Sequence, residues 1–255
     1  MMYLKNELPN HISRLSTLAI KELQTLLNKN GYSLIVDGIV GTNTINTFND
    51  FKRKHGLTHP NEIGQLTLDY LIKYSVNQLI SVEQLKQIYT YTPINRIKQF
   101  IQPINQCCHQ FNIINKPRIT AFLAQLGHES GGLQFMEELA SGRAYEFRKD
   151  LGNIYRGDGM RFKGRGCIQI TGRHNYTQVS QYLRVDFLSN PHLLAQLPYA
   201  ILSAGWFWHS RGLNAIADYH SLDGFRQITR RINGGFNGLT DRLNYWSRAK
   251  STFNC

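Results

Sequence analysis

Glu129 closes the apolar run of "AFLAQLGHESGGL", Glu137 and Glu138 follow it, and Glu146 stands 17 residues on in "AYEFRKDLGN". Carboxyls in pairs suit acid/base hydrolysis: one must be neutral to give a proton, the other ionised to take one from water. Pro117 fits the first turn of a helix. From there Ile119, Phe122, Leu123 and Leu126 fall on one face, and Glu129 continues that face. Gly131 and Gly132 end the helix. The negative end of the helix dipole and partial burial both favour the neutral form of a carboxyl in this position. A glutamate at a helix end is more often a solvated one, and the local pattern alone does not lift Glu129 above that.

Other chemistries find no support. The nine histidines show no H-E-x-x-H or similar spacing, so no metal or cofactor is expected. "GRG" at Gly164–Gly166 lacks the Lys-Ser/Thr of a phosphate loop. Cys107, Cys108, Cys167 and Cys255 form no C-x-x-C pair and read as reduced thiols. His128 adjoins Glu129 but points off its face, so it should pack or bond locally. Trp206, Phe207 and Trp208 lie in an apolar helix from Ala200 onward and read as core.

The elements that must position these residues are mainly helical. Helix-like segments from Ser81 onward are "EQLKQIYT", "INRIKQFIQPINQCCHQFNI", "PRITAFLAQLGHES", "LPYAILSAGWFWHSRG", "LDGFRQITRRING" and "LTDRLNYWSRAKSTF". The best strand candidate is "GCIQI". Ahead of them lies a small helical module. Leu18, Ile20, Leu23, Leu26 and Leu27 recur at helical spacing until Asn30-Gly31 stops the helix. An Asp37-Gly38 turn then leads into a second helix carrying Ile45, Phe48 and Phe51, closed by Gly56. Ile39, Gly41, Thr44 and Phe48 are echoed weakly by Ile63, Gly64, Thr67 and Leu71. The expected organisation is a module at 1–75, a short linker poor in Pro and Gly at 76–82, and a larger domain at 83–255.

Two resemblances sharpen this. "LQTLLNKNGYSLIVDGIVGTNTINTFNDFKRKHGL" resembles the three-helix peptidoglycan-binding module of wall hydrolases, although "NEIGQLT" carries only one glycine where that family often repeats D-G-x-x-G-x-x-T. "FLAQLGHESGGL", "AYEFRKDLGN", "RFKGRGCIQITGRHNY", "GWFW", "ITRRINGGFNG" and "DRLNYW", in this order, resemble glycoside hydrolase family 19, which holds chitinases and phage endolysins. The whole chain is similar to modular phage-type endolysins. That implies a mainly α protein: a wall-binding module and a helix-rich, lysozyme/chitinase-like α+β domain with a minimal sheet. It implies a glycosidase of lysozyme (muramidase) type, cutting β-1,4 bonds of peptidoglycan with inversion and so lysing a host cell. Inverting carboxyls stand roughly 6.5–9.5 Å apart, with room for a water between.

Carried over residue by residue, the resemblance makes Glu129 the general acid and Glu146 the base, with Glu138 the rival and Glu137 a solvated neighbour. Gln169, Asn175, Asn233 and Arg242 would bind sugar, and Thr171 would help hold the catalytic water. Alternation in a strand would put Gln169 and Thr171 on one face, with Ile168 and Ile170 on the other. Phe147 departs from the small residue often found after the second glutamate. A chitinase, an antibacterial effector with the same chemistry, and a non-catalytic wall-binding protein are the competing readings.

Composition fits these implications. The 255 residues are 42% hydrophobic and 18% charged, as in globular chains. No run of about 18 apolar residues appears, so no transmembrane helix is expected. The N-terminus has no apolar stretch and carries Glu7, which reads as no cleavable signal peptide: made in the cytoplasm, reaching the wall after release. Of the net charge of +12, residues 1–75 carry 8 Lys+Arg against 6 Asp+Glu, so +2, and the remainder +10. A basic surface suits a polyanion such as an anionic wall. The module's small excess argues against nucleic acid. The expected partner is bacterial peptidoglycan, with no stable membrane insertion and a monomeric chain.

Overall fold

Ser16 accepts a hydrogen bond from the Ala19 N–H and so caps α1 (Thr17–Lys29), which ends at Asn30. The computed structural model describes residues 3–30, 32–74 and 78–255, so Gly31 of the expected stop signal lies outside the described residues. The chain divides into two compact units, Met1–Gln78 and Leu79–Cys255.

In the first unit, α1 is followed by α2 (Thr42–Lys54) and α3 (Gln65–Tyr74), with a two-stranded ribbon of β1 (Asn10–His11) and β2 (Glu62–Ile63). Ile20, Leu23, Leu27, Phe48, Phe51, Leu68 and Leu71 form its core. Leu18, counted with that periodicity, instead points outward and is half exposed. The sequence echo has a structural counterpart. Gly41 and Gly64 each precede a helix, Thr44 and Thr67 are buried in its first turn, and Phe48 and Leu71 fill the core. The isoleucines differ: Ile63 is buried and Ile39 is exposed.

The Asp-Gly turn is built around buried Gln24. Its amide donates to Asp37 Oδ1 and Thr44 Oγ1, and its carbonyl accepts from Gly38 N at 2.9 Å. Gly38 has φ +81°, and a Cβ there would lie 2.5 Å from Thr17 Cγ2, so no other residue fits.

The second unit is built on α4 (Val82–Ile88), α5 (Ile94–Gln110), α6 (Lys116–Glu129), α7 (Asp158–Arg161), α8 (Arg173–Leu183), α9 (Tyr199–Ser210), α10 (Leu213–Ala217), α11 (Leu222–Asn233) and α12 (Leu239–Phe253). All six helix-like segments read from the sequence are helices. All six contribute to one continuous core, and α5 runs through Pro103 unbroken. Asn115 caps α6 with Pro117 in its first turn. α6 differs from the one-faced helix expected: every residue from Ile119 to Gly127 is buried. It is the central helix, with α12 packed along it. A helix enclosed on all sides must be apolar or internally satisfied all round.

One further expectation changes, and one helix went unread. The "GCIQI" segment is not a strand. Residues 166–169 form a turn closed by an antiparallel bridge between Arg165 and Ile170, and Gln169 has φ +54°. The burial alternation survives, with Ile168 and Ile170 buried and Gln169 and Thr171 half-buried. α8 went unread because only Tyr176 and Val179 on it are buried, too few to mark a helical stripe. Of the expected linker 76–82, residues 76 and 77 lie outside the described residues. Asn105 Oδ1 accepts from Leu79 N and Ile80 N, which anchors its far end in the second unit.

Trp206, Phe207 and Trp208 are core, as read. Cys107, Cys108 and Cys167 are free and buried, and burial pushes their thiols well up. Among the described residues no helix is long and apolar enough to cross a membrane, and no cluster of metal-ligating side chains occurs.

Candidate active site

Glu129 is the last residue of α6, and the chain reverses immediately after it. Gly131, Gly132 and Leu133 have φ of +57°, +68° and +68°. A leucine in the left-handed region is strained and persists only where its surroundings hold it. Here Leu133 is fully buried, its carbonyl accepts from Arg96 Nε, and its N–H donates to Ser130 Oγ. Thr92 Oγ1 donates to Gly132 O at 2.7 Å.

The reversal lays residues 136–138 beside 164–166. Gly166 N donates to Met136 O at 2.8 Å and Glu138 N to Gly164 O at 2.9 Å. Glu129, Phe135, Glu137, Glu138, Leu139, Ala140 and Gln169 thereby line one open cavity of about 400 Å³.

Arg242 holds the Glu129 carboxyl. This guanidinium is 2% exposed, and its Nη2 donates to Glu129 Oε1 at 2.6 Å. Nη1 donates to Gln125 Oε1 at 2.6 Å and Nε to Asn237 O at 3.2 Å. Gln125 in turn donates to Thr229 Oγ1 at 2.9 Å. A polar chain thus runs from α11 through α6 to α12 and ends on Glu129. The guanidinium is a partner of Glu129 that local spacing alone did not indicate. His128 bonds Asp241 Oδ2 at 2.7 Å, the local role expected of it.

Glu138 is gripped at both oxygens. Tyr145 Oη donates to Oε1 at 2.9 Å and Gly164 N to Oε2 at 3.1 Å. Burial, with the Glu138 carboxylate beside it, raises the Tyr145 hydroxyl above its ordinary value. Glu137 is 40% exposed, as a solvated neighbour would be, and Arg165 and Lys163 both pair with its Oε1, at 3.0 and 3.2 Å.

Glu146 sits elsewhere. Its Oε1 accepts from Gly157 N at 2.5 Å and its Oε2 from Gly159 N at 2.8 Å, at the start of α7, and it does not line the cavity. The surrounding motif bonds within the fold. Buried Asn153 donates to Tyr145 O and accepts from Arg173 N. Asp158 pairs with Arg173, which holds its carboxyl below the ordinary value. Phe147 has φ +55° and is exposed, a conformation that explains why a small residue suits this position.

Of the expected sugar ligands, Gln169 lines the cavity and Arg242 reaches it through Glu129. Thr171 Oγ1 donates to Gln169 O and Asn175 Nδ2 to Thr171 O, so both brace the turn that presents Gln169. Asn233 Nδ2 donates to Asn237 O, fixing the loop whose carbonyl receives Arg242 Nε. The sequence reading gave no role to Gln125, the Tyr145 hydroxyl, the Gly164 N–H, Phe135 or Leu139. A signal existed for Gln125: it is the polar residue inside an apolar run, one helical turn before Glu129.

Comparison with known proteins bears on the family and the fold. The family model "Chitinase class I" matches residues 73–219. A glycosyl hydrolase family 19 domain-containing protein of Haemophilus influenzae is 30% identical over 189 residues, 62% of this chain and 91% of that protein. An endochitinase of Arabidopsis thaliana is 36% identical over 123 residues, 48% of this chain and 41% of its own length. The chain therefore spans less than half of that plant relative. The fold is similar to that of chitinase C from Streptomyces griseus, with a TM-score of 0.57 at 22% identity, covering 69% of this chain and 93% of that one. A class IV chitinase from Zea mays aligns with a TM-score of 0.55 at 21% identity. The chain belongs to glycoside hydrolase family 19.

Proposed function

We propose that this chain hydrolyses the β-1,4-linked aminosugar backbone of peptidoglycan, with Glu129 as general acid and Glu138 as general base. The observation that carries the assignment is the cavity shared by Glu129, Glu138 and Gln169, from which Glu146 is absent. Protonated Glu129 gives its proton to the leaving glycosidic oxygen as the C–O bond breaks. Ionised Glu138 takes a proton from a water that attacks the anomeric carbon from the opposite face, so the product is inverted. Two donors, Tyr145 Oη and Gly164 N, hold the Glu138 carboxyl in place at the cavity. Arg242 and Gln125 fix the Glu129 carboxyl at the cavity, and Gln169 offers an amide to sugar hydroxyls and acetamido groups.

The wall is preferred over chitin because a three-helix unit resembling wall-binding modules precedes the hydrolase, and because most of the +12 net charge sits on the hydrolase. Peptidoglycan is anionic and chitin is neutral. Chitin is the second reading, favoured by the relatives named endochitinases. Release of reducing ends from purified sacculi and from chitin oligomers, side by side, tests the choice. Faster release from sacculi supports the proposal, and release from chitin alone replaces it with a chitinase.

A further inference from the structure

The Asp37-Gly38 loop carries the D-G-x-x-G-x-x-T letters of the resemblance in the first unit. The structure gives that loop's polar groups to the fold itself: Asp37 Oδ1 accepts from Gln24 Nε2 and Ile39 N, and Gly38 N donates to Gln24 Oε1. The cavity of this unit lies at the other end of α2. It holds about 720 Å³ and is bounded by the β1–β2 ribbon and by residues 57–67, the half of the module that departs from the repeated motif. Thr44 marks one end of α2 and Lys52 the other, about 12 Å apart at 1.5 Å per residue.

The chemistry of that cavity is cationic. Lys52 is 4% exposed, yet its ammonium forms no ion pair among the described residues. It donates to His59 O at 2.6 Å and Glu62 O at 2.5 Å, which leaves one of its three N–H groups over. These two bonds hold a loop in which His59 and Asn61 have φ of +61° and +62°. Arg14 lines the cavity, is exposed, and bonds no described residue. Against these two cations stands the single carboxylate of Glu62, with His11 and His59 alongside. Leu66, 63% exposed, adds an apolar wall.

We propose that this groove binds the peptide stem of peptidoglycan through a carboxylate, with Arg14 and the Lys52 ammonium as its counter-charges. The inference rests on the peptidoglycan reading above and adds which part of the polymer the first unit holds. Peptide binding leaves the glycan strand free for the cavity of Glu129 and Glu138.

The test uses full-length protein carrying Glu129→Gln, so that sacculi are bound and not cut. Two probes are titrated in solution and followed by amide NMR shifts: the free pentapeptide L-Ala–D-iso-Glu–L-Lys–D-Ala–D-Ala, and chitotetraose. The expected result is that pentapeptide shifts the amides of residues 10–14 and 57–67, and that Arg14→Glu weakens it about tenfold or more. Leu66→Asp, a second exposed position, should weaken it as well, so one misfolded variant does not decide the outcome. Sacculus retention should fall with both variants and persist with Ile39→Asp, which alters the exposed Asp-Gly loop. Retention lost with Ile39→Asp and kept with Arg14→Glu would overturn the groove while leaving the wall-binding reading intact. Chitotetraose, and not pentapeptide, shifting the groove amides would overturn the peptide assignment. No retention of the parent protein on sacculi would defeat the wall-binding reading and the groove with it.

Discussion

Replacing Arg242 with methionine should damage stability and activity together, and the size of the loss follows from its contacts. The guanidinium is 2% exposed and donates to Gln125, Glu129 and the Asn237 carbonyl. Gln125 is 1% exposed, so its orphaned carbonyl cannot be rehydrated, a loss of about 1–3 kcal/mol. Glu129 is 17% exposed and regains water only in part. Removing one partner of a buried pair destabilises by about 3–5 kcal/mol. At 2–4 °C per kcal/mol for a domain of this size, Arg242→Met should lower Tm by roughly 6–20 °C. Glu129→Gln keeps a carbonyl for Arg242 to bond, so it should abolish activity and move Tm by less than half as much. Tryptophan fluorescence is the readout, because Trp206, Trp208 and Trp246 all lie in the second unit and report on it alone. An Arg242→Met protein melting within about 2 °C of wild type would refute the reasoning, since the buried network would then contribute little.

Four further outcomes follow from the same geometry. Glu138→Gln should lower kcat by about 10²–10⁴-fold with little change in Tm, because it removes a proton acceptor while its amide oxygen can accept from Gly164 N and its NH2 can donate to the rotatable Tyr145 hydroxyl; parallel kinetics and melts check this. Glu146→Gln should do the reverse, retaining most activity while losing about 1–3 kcal/mol in urea unfolding, because one of two backbone N–H partners near α7 loses its carboxylate. Asp158, held below its ordinary value of 3.8 by Arg173, contributes stability that is full above that value and is lost as pH falls through the lower native one. Asp158→Asn should therefore flatten the acid limb of a Tm-against-pH curve. Gly127→Ala raises helix propensity by about 1 kcal/mol but sets a Cβ 2.7 Å from Tyr89 Cε1 and 2.9 Å from Tyr245 Cδ1, so thermal melts should show net destabilisation.

What the sequence made legible were features with a strong local cause. The helices that carry continuous apolar residues, Pro117 in the first turn of α6 and the double glycine after Glu129 all read directly, because propensity and periodicity agree there. The family motifs likewise pointed to Glu129 and Arg242. The motif around Glu146 was harder to read, because its polar atoms bond within the fold. Glu146, Asn153 and Asp158 sit in the most distinctive letters of the chain, and each spends its polar atoms on backbone groups or on Arg173. Linear spacing cannot tell a carboxylate that holds two N–H groups from one that faces a cavity. Nor could it show that three successive left-handed residues fold Glu138 back beside Glu129. The strand expected at "GCIQI" failed for a related reason: alternating burial is produced equally well by a tight turn closed by one bridge.

The most direct test of the central claim is muropeptide analysis of purified peptidoglycan digested with wild type, Glu129→Gln, Glu138→Gln and Glu146→Gln, resolved by mass spectrometry with and without borohydride reduction. The account predicts new reducing-end sugars from wild type and from Glu146→Gln, and none from Glu129→Gln or Glu138→Gln. Reducing ends that vanish with Glu146→Gln and persist with Glu138→Gln would contradict it.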